Sequence, residues 1–315
     1  MSSATYVNYA GELAAVGTLV CWAFGSHCFE AAGRRVGSMS VNLLRLCMAF
    51  AMFCIALSLR GMPPIPLDFS ANAWAWLAMS GVIGFSIGDM CLFRAFVEIG
   101  PRLTLLIMSL NAPLSAMLGW WWLGEVYGPW QWFGMVVTLA GVGWVIVERP
   151  PEDESLPDAA APIEKQRLVR KLSLRGILLA FGGAVGQAVG GVMSKHGMGE
   201  YDAFAATQIR VIGGIVGLSI LYCVLRRWKL TFRALTDRKA TAWMALGAFL
   251  GPFLGVSLYL RAMQLTEIGV VATIVALLPI VVIPLSMAIH KEHVSLRAAA
   301  GAAVAFGGVL LLVTH

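Results

Sequence analysis

Charge is scarce in this chain. Its 23 lysines and arginines and 17 aspartates and glutamates leave 13% of 315 residues charged, against 59% hydrophobic. A soluble domain carries about a quarter charged residues, so this composition cannot clothe an ordinary water-facing surface. Motifs for nucleotide-driven or hydrolytic chemistry are also missing. There is no GxxxxGK[ST] phosphate loop and no HExxH, which disfavours an ATP-driven pump and a zinc hydrolase. Cys21, Cys28, Cys47, Cys54, Cys91 and Cys223 show no CxxC or Cys/His ligand spacing, so no metal or other cofactor is expected, and their place in apolar runs predicts buried thiols. No basic residue precedes Arg34, so the amino end lacks the charged opening of a cleaved signal peptide and the first apolar run is expected to be retained. The net charge of +6 comes without a soluble basic face, and nucleic acid is not an expected partner.

What the chain does have is long apolar runs. Crossing the hydrocarbon core takes about 20 largely apolar helical residues. Ten segments qualify: Leu13–Phe29, Met39–Leu59, Trp74–Phe93, Thr104–Leu123, Trp130–Val147, Leu174–Lys195, Phe204–Leu225, Ala242–Met263, Val270–Ile289 and Ala298–Val313. The expected fold class is therefore an all-α integral membrane protein with lipid around it. Between the fifth and sixth segments, Glu148 to Ser173 is rich in Pro, Ala and charge, acidic first and basic after. Such a stretch cannot build a core and reads as a linker.

The chain also repeats itself. Trp76, Gly84, Gly88, Arg94, Ala95, Glu125, Gly134 and Gly141 recur as Trp243, Gly251, Gly255, Arg261, Ala262, Glu292, Gly301 and Gly308, all 167 positions later. Glu98-Ile99-Gly100 slips to 169, matching Glu267-Ile268-Gly269. At 165, Gly11, Ala15, Gly17, Ala23, Gly25 and Arg45 fall on Gly176, Ala180, Gly182, Ala188, Gly190 and Arg210. Self-similarity of this length fixes architecture: residues 1–148 form one unit, 149–172 the linker and 173–315 the second unit. With five helices in each, the second enters the membrane from the opposite side. Ten transmembrane helices as two inverted five-helix repeats are the arrangement secondary transporters use for alternating access.

Lysine and arginine gather in the loops after helices 1, 3, 5, 7 and 9, with Arg60 the main exception. By the positive-inside rule the linker is cytoplasmic and both termini lie outside.

Ionisable groups inside a span face a cavity or a partner. Arg45 and Arg210 hold equivalent places and can anchor a substrate carboxylate, or serve as snorkelling or paired charges. Asp89 has no acidic counterpart, since Val256 stands at its repeat position. It can carry a proton, hold an amine, or balance Arg45 or Arg94. Glu125 and Glu292 can cap the helices that follow them, and Glu30 and Lys195, equivalent and opposite in charge, can pair. Asn42, Asn111, Gln187, Gln208, Ser257 and His27 are polar groups in spans that want partners. Trp22, Phe85 and Tyr259 are aromatic candidates, whereas Trp120 to Trp122, Trp130 and Trp132 suit an interfacial belt. The glycine series at 84 and 88, at 247, 251 and 255, and at 182, 186 and 190 allows close helix contact, either static or as sliding seams. Pro113, Pro252, Pro279 and Pro284 permit bends.

From Gly84-Phe85-Ser86-Ile87-Gly88-Asp89 through Phe93-Arg94-Ala95, Asn111-Ala112-Pro113 and Leu123-Gly124-Glu125, and again from Tyr259-Leu260-Arg261-Ala262 through Leu278-Pro279 to Gly307-Gly308, the chain resembles the EamA family of the drug/metabolite transporter superfamily, in its ten-helix group of exporters. The likeness spans almost all of the chain. It departs at Asn111, where a small or apolar residue is commoner, and at His290-Lys291-Glu292 in place of Leu-Gly-Glu. It implies gradient-coupled movement of small metabolites, often export of amino acids, through a cavity between the halves of a multi-pass inner-membrane protein. It places Trp22, Phe85, Asn111, Gln187 and Tyr259 on cavity-facing helices, in a monomer or homodimer with no enzymatic step. An importer or exchanger of a phosphorylated or nucleotide-sugar-like anion, and a non-transporting scaffold, are the alternatives. On the loop-charge reading, a reporter fused after His315 that works only in the cytoplasm should stay silent, and a strong signal would invert the topology.

Overall fold

A helix satisfies its backbone N–H and C=O groups within one segment, which an apolar solvent demands. The computed structural model describes residues 9–99, 101–147, 173–226, 228–281 and 296–314, and every regular element among them is helical. The first half has α1 (Ala10–Val36), α2 (Ser38–Leu59) and α3 (Ala71–Gly81), which runs through a π-helical stretch, Val82–Gly88, into α4 (Asp89–Ile99). α5 (Pro101–Met108), α6 (Asn111–Leu118) with a closing π-helical stretch at Gly119–Leu123, and α7 (Pro129–Val147) complete it. The second half has α8 (Leu174–Met198), α9 (Ala203–Leu225), α10 (Trp228–Ala234) and α11 (Arg238–Ala248). A third π-helical stretch, Phe249–Gly255, leads into α12 (Val256–Leu265), then α13 (Ile268–Val275) and α14 (Leu296–Thr314).

Among the described residues, six helices are long and apolar enough to cross a membrane: Ala10–Val36, Met39–Leu59, Ala71–Ala95, Leu174–Met198, Ala203–Leu225 and Arg238–Leu265. Polar caps mark the starts of α3, α9 and α11. Ser70 accepts from the Ala73 N–H at 3.2 Å, Asp202 from Phe204 and Ala205 at 3.1 and 3.0 Å, and Asp237 from Ala240 at 3.0 Å. That bond and then Arg35 hold the Asp237 carboxyl below the usual carboxylate range.

Several expectations need correction. The run Thr104–Leu123 is not one helix but α5 and α6, because Pro113 has no N–H to give and tolerates only the first turn of a new helix. The second copy breaks at the equivalent Ala276–Leu277, ahead of Pro279. Residues 226–237, read as loop, include α10, whose Trp228 stacks on Phe232 at 5.8 Å. Of the cysteines only Cys21 and Cys28 are buried, and Cys47 and Cys223 lie on exposed helix faces. The linker 149–172, Pro284 and Glu292 lie outside the described residues.

The two halves interlock. α8 lies along α3, the Val82–Gly88 stretch and α4 of the first half, while α1 lies along α11, the Phe249–Gly255 stretch and α12. Glycine permits both crossings: a Cβ on Gly186 would come within 3.0 Å of the Gly88 Cα, and one on Gly255 within 2.6 Å of the Trp22 ring. Equivalent helices run antiparallel. In α2 against α9, Phe53 meets Phe204 at 5.0 Å near one end while the Tyr222 hydroxyl donates to the Met39 carbonyl at the other. In α7 against α14, Gly134 faces Gly308 and Gly141 faces Gly301. These are the glycines that the 167-residue offset pairs.

A Cβ on Gly141 would sit 2.7 Å from the Gly301 carbonyl oxygen and 2.8 Å from the Ala305 Cα. Gly141→Ala should therefore prise α7 from α14 and lose about 1–3 kcal/mol, the usual cost of overpacking, read as a lower unfolding midpoint in detergent. Gly307→Ala, where a Cβ meets nothing within 4 Å, is the control that should leave the midpoint unchanged.

Candidate functional site

A π turn holds one residue more than an α turn and often marks functional positions. The stretches Val82–Gly88 and Phe249–Gly255 stand 167 residues apart, at the same place in both copies. The first delivers Asp89 into the middle of the bundle. Asp89 is 7% exposed, and a buried carboxylate needs partners. Arg45 of α2 donates from Nη2 to its Oδ2 in an ion pair. Gln187 of α8 donates from Nε2 to Oδ1 at 2.8 Å. Both carboxylate oxygens are thus engaged, one from each half of the chain.

Arg45 is itself held in place. Its Nε donates to the Asn42 Oδ1 at 3.0 Å, and its guanidinium lies 4.9 Å from the Phe29 ring centre of α1. Asn42 in turn donates to the Phe85 carbonyl at 3.3 Å. Of the partners considered for Asp89, the structure gives Arg45. Arg94 is exposed at the mouth of a cavity.

Arg210, equivalent to Arg45, is placed differently. It is 2% exposed, its guanidinium stacks 4.9 Å from the Phe85 ring centre, and Nε and Nη1 have no hydrogen-bond partner. Buried donors left without an acceptor are expensive. At Val256, where symmetry would supply an acid, there is none.

Tyr259 is buried, with its ring 5.5 Å from Trp22. Trp22 and Gln187 are equivalents at the 165 offset, and each reaches from a first helix onto the other half's π-helical stretch. The structure thus gathers Arg45, Asp89, Gln187, Arg210 and Phe85, with Trp22 and Tyr259 alongside. Asn111 does not join them: it opens α6 and accepts from Ser115 at 3.2 Å.

A cavity of about 300 Å3 lies beside this cluster, towards the end that bears Arg175, and touches its network through Asn42, the hydrogen-bond partner of Arg45. Asn42 lines it along with Phe93, Leu218 and Tyr222, and Arg94, Glu98 and Arg175 stand at its mouth. Arg175 approaches Glu98 at 3.4 Å.

The opposite end is tied shut, by a group that sequence reasoning had placed otherwise. Glu125 does not cap its own following helix. Its carboxylate accepts from the Ile268 N–H at 3.1 Å, capping α13 of the other half, and pairs with the Lys195 ammonium at 2.6 Å. Tyr127 donates to the same carboxylate and accepts from the Gly269 N–H at 3.1 Å. Burial, and then that bond to Glu125, push the Tyr127 phenol up. Lys195 therefore pairs with Glu125 and not with Glu30, which takes Arg34 at 2.5 Å, because Glu30 ends its helix run at the far end of the bundle. The sequence marks Glu125 as a cap for the helix that follows it and marks Tyr127 not at all, since no local pattern announces a cap made across the repeat.

Removing one partner of a buried pair costs roughly 3–5 kcal/mol. Lys195→Met, which strands Glu125, should destabilise towards the lower figure, and adding Glu125→Gln should recover part of the loss. A double-mutant cycle by thermal unfolding reads the coupling, and strictly additive losses would mean no pair.

A family model described as the EamA-like transporter family matches residues 9–147 and again 174–314. No curated protein matches the chain. Twenty-eight solved chains do, among them one described only as "Crystal structure of protein", 16% identical, covering 96% of this chain and 96% of its own length with a TM-score of 0.66. At that identity the likeness shows the fold alone.

Proposed function

The chain belongs to the EamA-like transporter family, a family of membrane transporters, and from that premise we propose that it is a secondary active exporter of small carboxylate-bearing metabolites, amino acids among them. It is a multi-pass membrane protein, which we place in the cytoplasmic (inner) membrane as ten spans in two inverted halves, 1–148 and 173–315, joined by the linker 149–172. The antiparallel crossing of equivalent helices supports the inversion. With basic loops in the cytoplasm, the cavity opens inward and the Glu125–Lys195 end is closed outward, the state in which an exporter loads.

One observation carries the reading: Arg210 is a buried cation at the seam between the halves whose Nε and Nη1 have no hydrogen-bond partner. It is the anchor for a substrate carboxylate. Arg45, its repeat equivalent, is already committed to Asp89. A proton arriving on Asp89 would remove that ion pair, so Asp89 is the coupling residue, and Trp22, Phe85 and Tyr259 shape the apolar side. A cargo of phosphorylated or nucleotide-sugar type calls for more uncompensated cations than Arg210 alone.

Counterflow of labelled amino acids and monocarboxylates into proteoliposomes, with and without an imposed pH gradient, tests this. Saturable, gradient-sensitive uptake is expected, and Asp89→Asn should remove the gradient sensitivity. Unchanged, still pH-dependent flux in that variant would take Asp89 out of the scheme. No flux at all from folded protein would overturn the transport reading of the site.

A further inference from the structure

Building on the reading of Arg210 as an anion anchor, we propose that Asp89 also sets the charge preference of the site, which among carboxylate-bearing cargoes binds those with a single net negative charge more tightly than the zwitterionic amino acids it also carries, and more tightly than dianions. The charged groups at the seam are Arg45 from α2, Asp89 from the start of α4 and Arg210 from α9. α8 contributes the neutral Gln187 and α12 the phenol of Tyr259. Two positive charges and one negative leave an excess of one. Arg94, Glu98 and Arg175 stand at the cavity mouth, where water screens them. An isolated charge in a low-dielectric interior is costly, and a partner of equal and opposite charge relieves it. A monoanion leaves the occupied site neutral, whereas a dianion leaves it one negative charge too many. A zwitterion brings an ammonium that finds no vacant carboxylate, because both oxygens of Asp89 are taken by Arg45 and Gln187.

The test uses purified full-length protein at fixed neutral pH and two sets of matched probes: leucine, its oxo acid and isobutylmalonate, then phenylalanine, phenylpyruvate and benzylmalonate. Within each set the apolar group is constant and the charge is zero, one or two negative. Affinity is read by thermal stabilisation and confirmed by competition. In the wild type the oxo acids should bind at least tenfold tighter than their partners. Asp89→Asn raises the excess to two and should put the malonates first. Arg45→Gln combined with Asp89→Asn restores an excess of one and should restore the oxo acids. Arg210→Gln should abolish binding of every probe.

A wild type that ranks amino acids or malonates first overturns the charge rule without any variant, so it remains testable if Asp89→Asn does not fold. Loss of binding in Arg210→Gln with an unaltered ranking in Asp89→Asn removes the charge rule and leaves the anchor standing. Retained binding in Arg210→Gln, or no binding of any probe by the wild type, removes the anchor and the charge rule together.

Discussion

The ion pair between Asp89 and Arg45, with Gln187 closing the other carboxylate oxygen, sets the terms for the rest of the molecule. Desolvating such a pair costs several kcal/mol per ion before the attraction returns any of it, so the partners must be held at contact. That holding falls to helices of both halves: α2 carries Arg45, the π-helical stretch aims Asp89, and α8 brings Gln187 across from the other unit. The approach of α8 depends on backbone meeting backbone at Gly186 and Gly88. A side chain at either position would carry Gln187 away and leave one oxygen of a buried carboxylate unsatisfied. The glycine seam is thus a condition of the electrostatics.

The same interlocking explains why one end is closed and the other is not. Where Glu125 reaches over to α13, a single carboxylate gathers the Ile268 N–H, the Lys195 ammonium and the Tyr127 hydroxyl, and the halves meet. At the basic end the ties are part-exposed ion pairs of Arg35 to Asp237 and Arg175 to Glu98. Pairs in water are worth little, and the cavity opens there.

Most of the frame was legible because it rests on periodic signals. The 167-residue offset named Gly134, Gly141, Gly301 and Gly308, and those four form the seam between α7 and α14. Apolar length located the six long helices, and the cost of charge in a span singled out Asp89, Arg45 and Arg210. What stayed hidden depends on relations between distant residues. Nothing near Glu125 tells that its carboxylate caps a helix more than a hundred residues away. Nothing in the equivalence of Arg45 and Arg210 tells that one is paired and the other not; only the assembled seam does. The π-helical stretches were likewise invisible, since they answer to packing of Gly84 and Gly88 against α8 and not to composition. Asn111, placed with the site by resemblance, bonds to Ser115 because α6 begins afresh at that point.

Arg210's lone charge has an electrical consequence. Arg45 and Asp89 both belong to the first half and cancel, so the second half brings an unbalanced positive charge to the seam. Moving one elementary charge through the whole membrane field changes the energy by about 2.3 kcal/mol per 100 mV, and a partial displacement changes it in proportion. If the halves of the empty protein shift against each other, as alternating access requires, voltage acts on that charge. With a monoanion seated on it, voltage finds nothing to pull. The membrane potential would then drive the return of the empty carrier and leave the loaded step alone.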